Sequence, residues 1–311
     1  MNNKIAITTG DFNGIGPEII TKALNSLKLD KNKVVIIGSK SLFNNLTIDY
    51  EFVDIPFNNN WLNIGQETKE AGEFAYQCLI KACELAGEKK IKAIVTAPLS
   101  KNTLHLAGHN FSGQTEILEA QLGNKEKNEK AEMLFVSDSF RVLLLTRHLP
   151  LNKIKITKEL LIEKILRINK VLKDDFKIKE PKLALCSLNP HAGENGIIGN
   201  EEIFEFAPAI DYLRKEGINI TEPLPSDTLF VKAAQSYNKG NKQYYDCYCA
   251  CYHDQGLIPI KMLAMDKTVN TTVGLSVIRT SPAHGTAYDI AGKNLADASS
   301  MICAIKETLS I

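Results

Sequence analysis

Four short runs in this chain are apolar on both sides of a strand: "VVIIG" at 34–38, "AIVTA" at 93–97, "LALC" at 183–186 and "CYCACY" at 247–252. A strand with one wet face alternates polar and apolar residues. One without alternation needs cover on both faces, which points to an α/β protein with a largely parallel sheet between helices. Helical patterns fall between the runs. From Gln66 to Leu85 the apolar set Ala71, Phe74, Ala75, Cys78, Leu79, Ala82 and Leu85 recurs at spacings of three and four, which predicts an amphipathic helix. Further helices are expected after Pro17, over 157–173, over 201–217 where Gly217 ends the pattern, and in "ADASSMICAIKETLSI" at the C-terminus. The stretch "EMLFVSDSFRVLLLTRH" breaks at Ser137-Asp138-Ser139 between two apolar runs, a hairpin that adds an antiparallel portion to the sheet.

A chain of 311 residues, 44% of them hydrophobic, suffices for two modest domains or one large α/β unit. No linker or repeat marks a boundary, so residues 1–311 are taken as one unit. Thirty-seven basic side chains oppose thirty-six acidic ones, a net charge of +1, so neither nucleic acid nor a membrane surface is expected as a partner. No signal-peptide core follows the N-terminus, and no apolar run reaches the length of a membrane span. The seven cysteines fit a reducing compartment, and the expected location is cytoplasmic.

The alternate cysteines of "CYCACYH" (247–253) suggest a zinc site. A strand advances roughly 3.3 Å per residue, which sets Cys247 and Cys251 about 13 Å apart, too far to share one tetrahedral ion. They are expected as core residues. His253 then stands where the apolar run stops, His148 follows "RVLLLT" and His191 follows "LALCSLNP". Three of six histidines thus sit just past strand ends, where open α/β sheets bind ligands. Either they converge on a metal, or each is a polar residue where the chain meets solvent. Asp254 is placed to orient His253. Asp227 in "LPSDTLF" reads as a catalytic acid or, more simply, as a helix cap. The glycines of "GDFNGIGPE" (Gly10, Gly14, Gly16) lie between strand and helix in the order G-x-x-x-G-x-G, which is not a dinucleotide fingerprint, so a tight turn is expected. Lys261, Asn270 and Arg279 interrupt apolar stretches, and arginine's planar fork suits phosphate or carboxylate.

Seven ordered motifs, "GDFNGIGPEI", "TAPLSK", "SGQTEIL", "LTRHLPL", "LNPHAGENG", "YHDQGLIPIK" and "VNTTVGLSVIRTSPAHGTAYDIAGK", together resemble the 4-hydroxythreonine-4-phosphate dehydrogenases of the pyridoxal phosphate pathway. The last is also similar to the cofactor loop of isopropylmalate and isocitrate dehydrogenases, to whose fold that family belongs. The resemblance implies a mixed, largely parallel sheet flanked by helices in two interleaved α/β subdomains, with the active site in the cleft. It implies a homodimer that shares its active site, and one divalent ion (zinc, magnesium, manganese or cobalt) per site on His148, His191 and His253. His253 then completes a site whose other two imidazoles belong to the partner chain. Gln114, Thr115, Lys261, Asn270 and Arg279 are implied to bind the phosphorylated substrate, with His284, Gly285, Thr286, Asp289 and Gly292 bordering NAD or NADP. Lys261 and Asp227 are the implied proton carriers.

The implied reaction is oxidation of 4-phosphohydroxy-L-threonine with loss of CO₂, giving 3-amino-2-oxopropyl phosphate. Its rivals are a dehydrogenase of phosphorylated four-carbon sugar acids, a phosphate acyltransferase and a non-catalytic binding protein. Two departures stand out. Gln114 occupies a place where the family reads histidine, and glutamine cannot become a cation. The segment "AAQSYNKGNKQYYD" (233–246) is longer than expected and reads as an enlarged surface connection.

Overall fold

The computed structural model describes residues 4–124, 126 and 129–311. Its strands are β1 (Ile5–Thr8), β2 (Val34–Gly38), β3 (Glu51–Asp54), β4 (Ala93–Thr96), β5 (Glu132–Ser137), β6 (Phe140–Leu144), β7 (Lys182–Cys186), β8 (Asn219–Leu224), β9 (Cys247–Ala250), β10 (Val269–Val273) and β11 (Ile278–Pro282). The α-helices are α1 (Gly16–Leu27), α2 (Lys69–Gly87), α3 (Lys101–Leu106), α4 (Gln114–Leu122), α5 (Lys158–Asp174), α6 (Ala207–Lys215), α7 (Ser226–Asn238), α8 (His253–Ala264) and α9 (Ser299–Ser310). Two compact units divide the chain. One joins Met1–Ala131 to Val269–Ile311, and the other is the continuous segment Glu132–Thr268.

In the first unit the strand order is β3-β2-β1-β4-β11-β10, all parallel except β10, which runs antiparallel to β11. Successive side chains point to opposite faces, and the packing follows. Ile5, Ile7, Val34 and Ile36 join one core with Ile19, Ile20, Met301 and Ile305 of α1 and α9. Ala6, Val35, Ile37 and Ile94 join another with Phe74, Cys78, Leu79 and Ile117 of α2 and α4. Both faces are therefore dry, as the unalternated runs require. Each fully buried Ile or Leu contributes roughly 1.5–3 kcal/mol.

In the second unit the order is β5-β6-β9-β7-β8. The β5–β6 pair is antiparallel, with Asp138 in the left-handed region at its turn, while β6, β9, β7 and β8 pair in parallel. Tyr248 and Ala250 face a core with Phe140, Val142, Leu229 and Ile260. All seven cysteines are free thiols, and every one except half-buried Cys303 is buried, so the strand of alternate cysteines is packing. Burial pushes the Cys186 thiol up to about 12.

Several boundaries move for local reasons. Thr68 and Thr157 cap α2 and α5, accepting from Ala71 N and Leu160 N at 3.2 Å each, so α2 begins at Lys69 and α5 at Lys158; such caps are worth about 1 kcal/mol. Within the expected helix 201–217, residues Glu202–Phe206 form a π turn, and Pro208, with no N–H to donate, opens the α-helix that follows. The expected surface connection at 233–246 is half helix, because α7 runs to Asn238 with Ala233 and Ser236 buried. Asp227 is not a cap: α7 begins after Pro225 without a side-chain capping bond, and Asp227 lies exposed in its first turn. Among the described residues no helix is long and apolar enough to cross a membrane.

Candidate active site

The first unit holds a buried cation. Arg279 of β11 stands opposite Thr272 of β10 and is 4% exposed. Its Nε donates to Thr96 Oγ1 at 2.8 Å and its Nη1 to Thr272 Oγ1 at 3.4 Å. Among the described residues no carboxylate lies within ion-pair distance of it. Burial pushes its pKa down from 12.5 to about 9, partly offset by Glu116. Burying a charge without an ion-pair partner is costly, so the site suits an anion.

The surroundings suit one. Asn270, two residues before Thr272, shares its strand face, and its Oδ1 is buried without a hydrogen-bond partner. Thr115 Oγ1 lies 3.5 Å from Thr272 Oγ1. Thr115 is in the first turn of α4, whose N-cap, Gly113, offers no side chain to the leading N–H groups, and such a helix start attracts phosphate. Gln114 Nε2 donates to Ala97 O at 3.1 Å, which ties that side chain to the end of β4. Gln114, Thr115, Asn270 and Arg279 are thus gathered by three elements, α4, β10 and β11. Thr96 and Thr272 belong with them and were not anticipated; the spacing of Thr272 from Asn270 on one strand was the available signal.

The second unit orders its histidines by topology. β6, β9 and β7 are adjacent and parallel, and His148, His253 and His191 follow their carboxyl ends in that order. His253 is the first residue of α8. Its ring lies 5.5 Å from that of His148, tilted by 48°. Two imidazoles on one tetrahedral zinc, with Zn–N near 2.0–2.1 Å, have centroids about 5.3 Å apart, so this pair fits a shared ion. His253 Nδ1 lies 2.7 Å from Asp254 Oδ1, which leaves Nε2 for the metal. Among the described residues of one chain no group of three His, Cys, Asp or Glu side chains is placed to hold a metal, so His191 does not join the other two within the chain. The pair that meets is His148 with His253, whereas the resemblance grouped His148 with His191.

His191 opens a turn of unusual backbone. Residues 191–196 all have positive φ, from 45° at Glu194 to 93° at Gly196. Four of the six are not glycine, and each such residue costs roughly 1–2 kcal/mol in this region. Lys261 lies eight residues along α8 from His253, about 12 Å of helix rise. Asp227 is exposed, whereas the hydroxyl of its neighbour Ser226 accepts from Gln255 Nε2 at 2.8 Å.

The loop His284–Gly292 is tied to the glycine turn that follows β1. Gly10 has φ 71°, and a Cβ there would meet Pro98 O at 2.4 Å, so the turn is tight, as expected. Ile15 N donates to Thr286 O at 3.0 Å, and Tyr288 OH donates to Asp11 Oδ2 at 2.6 Å. Asp11 is fully buried; desolvation raises its pKa above 3.8, and the bonds from Tyr288 and Asn13 N oppose that shift. His284 Nε2 is buried with no partner, and a Cβ on Gly285 would meet nothing within 4 Å. An unpaired polar atom beside open space fits a bound dinucleotide.

Comparison with known proteins identifies the family. The model of the family described as pyridoxal phosphate biosynthetic protein PdxA matches residues 14–308. The 4-hydroxythreonine-4-phosphate dehydrogenase of Sulfurihydrogenibium sp. is 41% identical over 97% of this chain and 96% of its own. The D-threonate 4-phosphate dehydrogenase of Cupriavidus necator is 37% identical over 97% and 95%. Among solved structures, the 4-hydroxythreonine-4-phosphate dehydrogenase of Klebsiella pneumoniae superposes with a TM-score of 0.85 at 32% identity, covering 99% of this chain and 100% of that one. At the level of fold alone, a β-decarboxylating dehydrogenase of Thermococcus kodakarensis covers 97% of this chain and is matched over 82% of its own, with a TM-score of 0.55 at 15% identity. The fold is that of the isopropylmalate and isocitrate dehydrogenases, and the chain belongs to the PdxA family.

Proposed function

We propose that this PdxA-family dehydrogenase oxidises the secondary alcohol of 4-phosphohydroxy-L-threonine, with NAD⁺ as the hydride acceptor and a divalent ion at the histidines, and that the resulting β-keto acid loses CO₂ to give 3-amino-2-oxopropyl phosphate. The observation that carries this reading is Arg279, a buried guanidinium with threonine hydroxyls but, among the described residues, no carboxylate within ion-pair distance. It takes the substrate phosphate through charge-assisted hydrogen bonds. Thr115 and the first N–H groups of α4 add donors, and Asn270 fixes orientation. When bound, the ion supplies Lewis-acid polarisation of the alcohol oxygen and of the ketone that follows. His148 and His253 hold it from one chain, and His191 comes from the partner. The His284–Gly292 loop borders the dinucleotide, whether NAD or NADP. Lys261 and Asp227 are the proposed proton carriers, Lys261 being the better placed by its partial burial on α8.

A homodimer is supported by an exposed apolar stripe on the second unit. Ile258, Met262 and Met265 are 57%, 81% and 60% exposed at helical spacing, and Leu149 and Leu151 beside His148 in sequence are 51% and 72% exposed. So much exposed apolar side chain is the mark of a surface meant for a partner.

A second reading, oxidation of D-threonate 4-phosphate, is favoured by Gln114. Its amide is spent on Ala97 O, so it brings no positive charge to a substrate. Supplying the purified protein with each phosphorylated substrate and NAD⁺, and following reduced cofactor, separates the two. Turnover of the threonine-derived substrate alone supports the first reading, and turnover of D-threonate 4-phosphate alone replaces it.

A further inference from the structure

We propose that Glu202 is the positioning residue for His191, holding the left-handed turn that carries its imidazole; this rests on the reading of His191 as a metal ligand. The turn from His191 to Gly196 is unfavourable at each of its L-residues, so something outside it has to keep it wound. Glu202, in the π turn after the loop, is 6% exposed. Its Oε1 accepts from Leu188 N at 2.9 Å and Asn189 N at 2.8 Å, and its Oε2 accepts from Asn189 Nδ2 at 2.8 Å. Ser187 Oγ closes the same corner by donating to Asn189 O at 2.9 Å. The carboxylate therefore grips the two residues that lead into Pro190 and His191.

The far side of the carboxylate is closed by the turn itself. A Cβ on Gly193 would meet Glu202 Oε2 at 2.9 Å and Gly199 O at 2.8 Å, and a Cβ on Gly199 would meet Asn189 Nδ2 at 2.4 Å. Ile198 N donates to Gly193 O at 3.1 Å, pinning the turn's exit. Among the described residues no lysine, arginine or histidine pairs with Glu202. Its burial is offset by the N–H groups of the loop alone, so this charge serves the loop and not a general ion-pair network. The hydrogen bonds of Glu202 go to Leu188 and Asn189, so it acts on the His191 ring through the backbone.

The test compares Glu202→Gln, Gly193→Ala and His191→Ala with the wild type by cobalt binding, measured in competition with a chromophoric chelator, alongside melting temperature. Glutamine keeps an oxygen for Leu188 N and Asn189 N but turns an NH₂ toward Asn189 Nδ2. Supporting groups of this kind typically alter metal affinity by about 10- to 100-fold. Glu202→Gln is expected to weaken cobalt binding by about tenfold or more while the protein stays folded and its Arg279 site still binds inorganic phosphate as the wild type does. Gly193→Ala reaches the same turn from the other side, is expected to do likewise, and carries the comparison if Glu202→Gln does not fold. If His191→Ala weakens cobalt binding while Glu202→Gln and Gly193→Ala bind it normally, Glu202 has no positioning role, although the metal reading stands. If His191→Ala itself binds cobalt as the wild type does, the metal reading fails and this proposal goes with it.

Discussion

His148 and His253 leave neighbouring parallel strands and bring their rings to 5.5 Å from each other within one chain, while His191 does not complete a group of three with them. If the three histidines share an ion across a dimer, this arrangement has a measurable signature in subunit exchange. In a two-fold dimer, mixing His191→Ala with His253→Ala yields heterodimers in which one site carries both lesions and the other none. With random pairing, activity recovers to about a quarter of wild type. Mixing His148→Ala with His253→Ala restores nothing, because every site in such a heterodimer keeps one lesion. Recovery in the second mixture, with exchange verified by mass, would show that those two histidines serve different sites.

Removing divalent ions should abolish NADH formation, and adding back zinc, magnesium, manganese or cobalt should return it, since the histidines have no other substitute for that charge. A metal-free sample, checked by elemental analysis, that retains full activity would exclude the metal from the reaction.

Arg279→Ala should raise KM for the phosphorylated substrate far more than it lowers kcat. Charge-assisted hydrogen bonds are worth about 1.5–3 kcal/mol each, and 1.4 kcal/mol is tenfold, so the rise is about tenfold or more. Binding to the native form stabilises it; inorganic phosphate should therefore raise the melting temperature of the wild type and leave that of Arg279→Ala unmoved. Without phosphate, Arg279→Met should be no less stable than the wild type, because an apolar side chain in that space carries no buried charge. Equal phosphate stabilisation in wild type and Arg279→Ala would place the anion elsewhere.

Asp11 gives a pH dependence whose sign follows from burial. Its folded pKa is raised above 3.8, chiefly by desolvation, so between 3.8 and the raised value the native state binds more protons than the unfolded one. Stability from this group therefore falls as pH rises through that window and is flat above it. Asp11→Asn lacks the slope: its stability relative to wild type should climb across the same window, read by urea denaturation at several pH values. Tyr288→Phe, which deprives the buried carboxylate of a donor at 2.6 Å, should cost about 1–3 kcal/mol and lose most of that cost in the Asp11→Asn background.

The strands were legible because burial on both faces leaves a mark in every residue of "VVIIG" or "CYCA". The start of α8 at His253 was not, since Gly256 and Pro259 within it disguise a helix. Positions of single candidate residues were visible as polar interruptions, but their partners were not: Arg279 and its acceptor Thr96 are 183 residues apart in sequence, and no periodicity encodes that meeting. The turn at His191 was hidden for another reason. Glycine announces left-handed backbone at Gly193 and Gly196, whereas His191, Ala192, Glu194 and Asn195 adopt it under an external hold that only packing supplies.

The first unit has a history written into its strand order. β11 lies between β4 and β10, so its sheet is complete only when the chain returns at Val269. Nascent domains fold as units while synthesis proceeds from the N-terminus. The continuous segment Glu132–Thr268 can therefore close on the ribosome first, leaving the earlier strands β1 to β4 waiting with an open edge. Arg279 cannot meet Thr96 until the last strands have been made, so a chain released early would carry its histidines without that pairing.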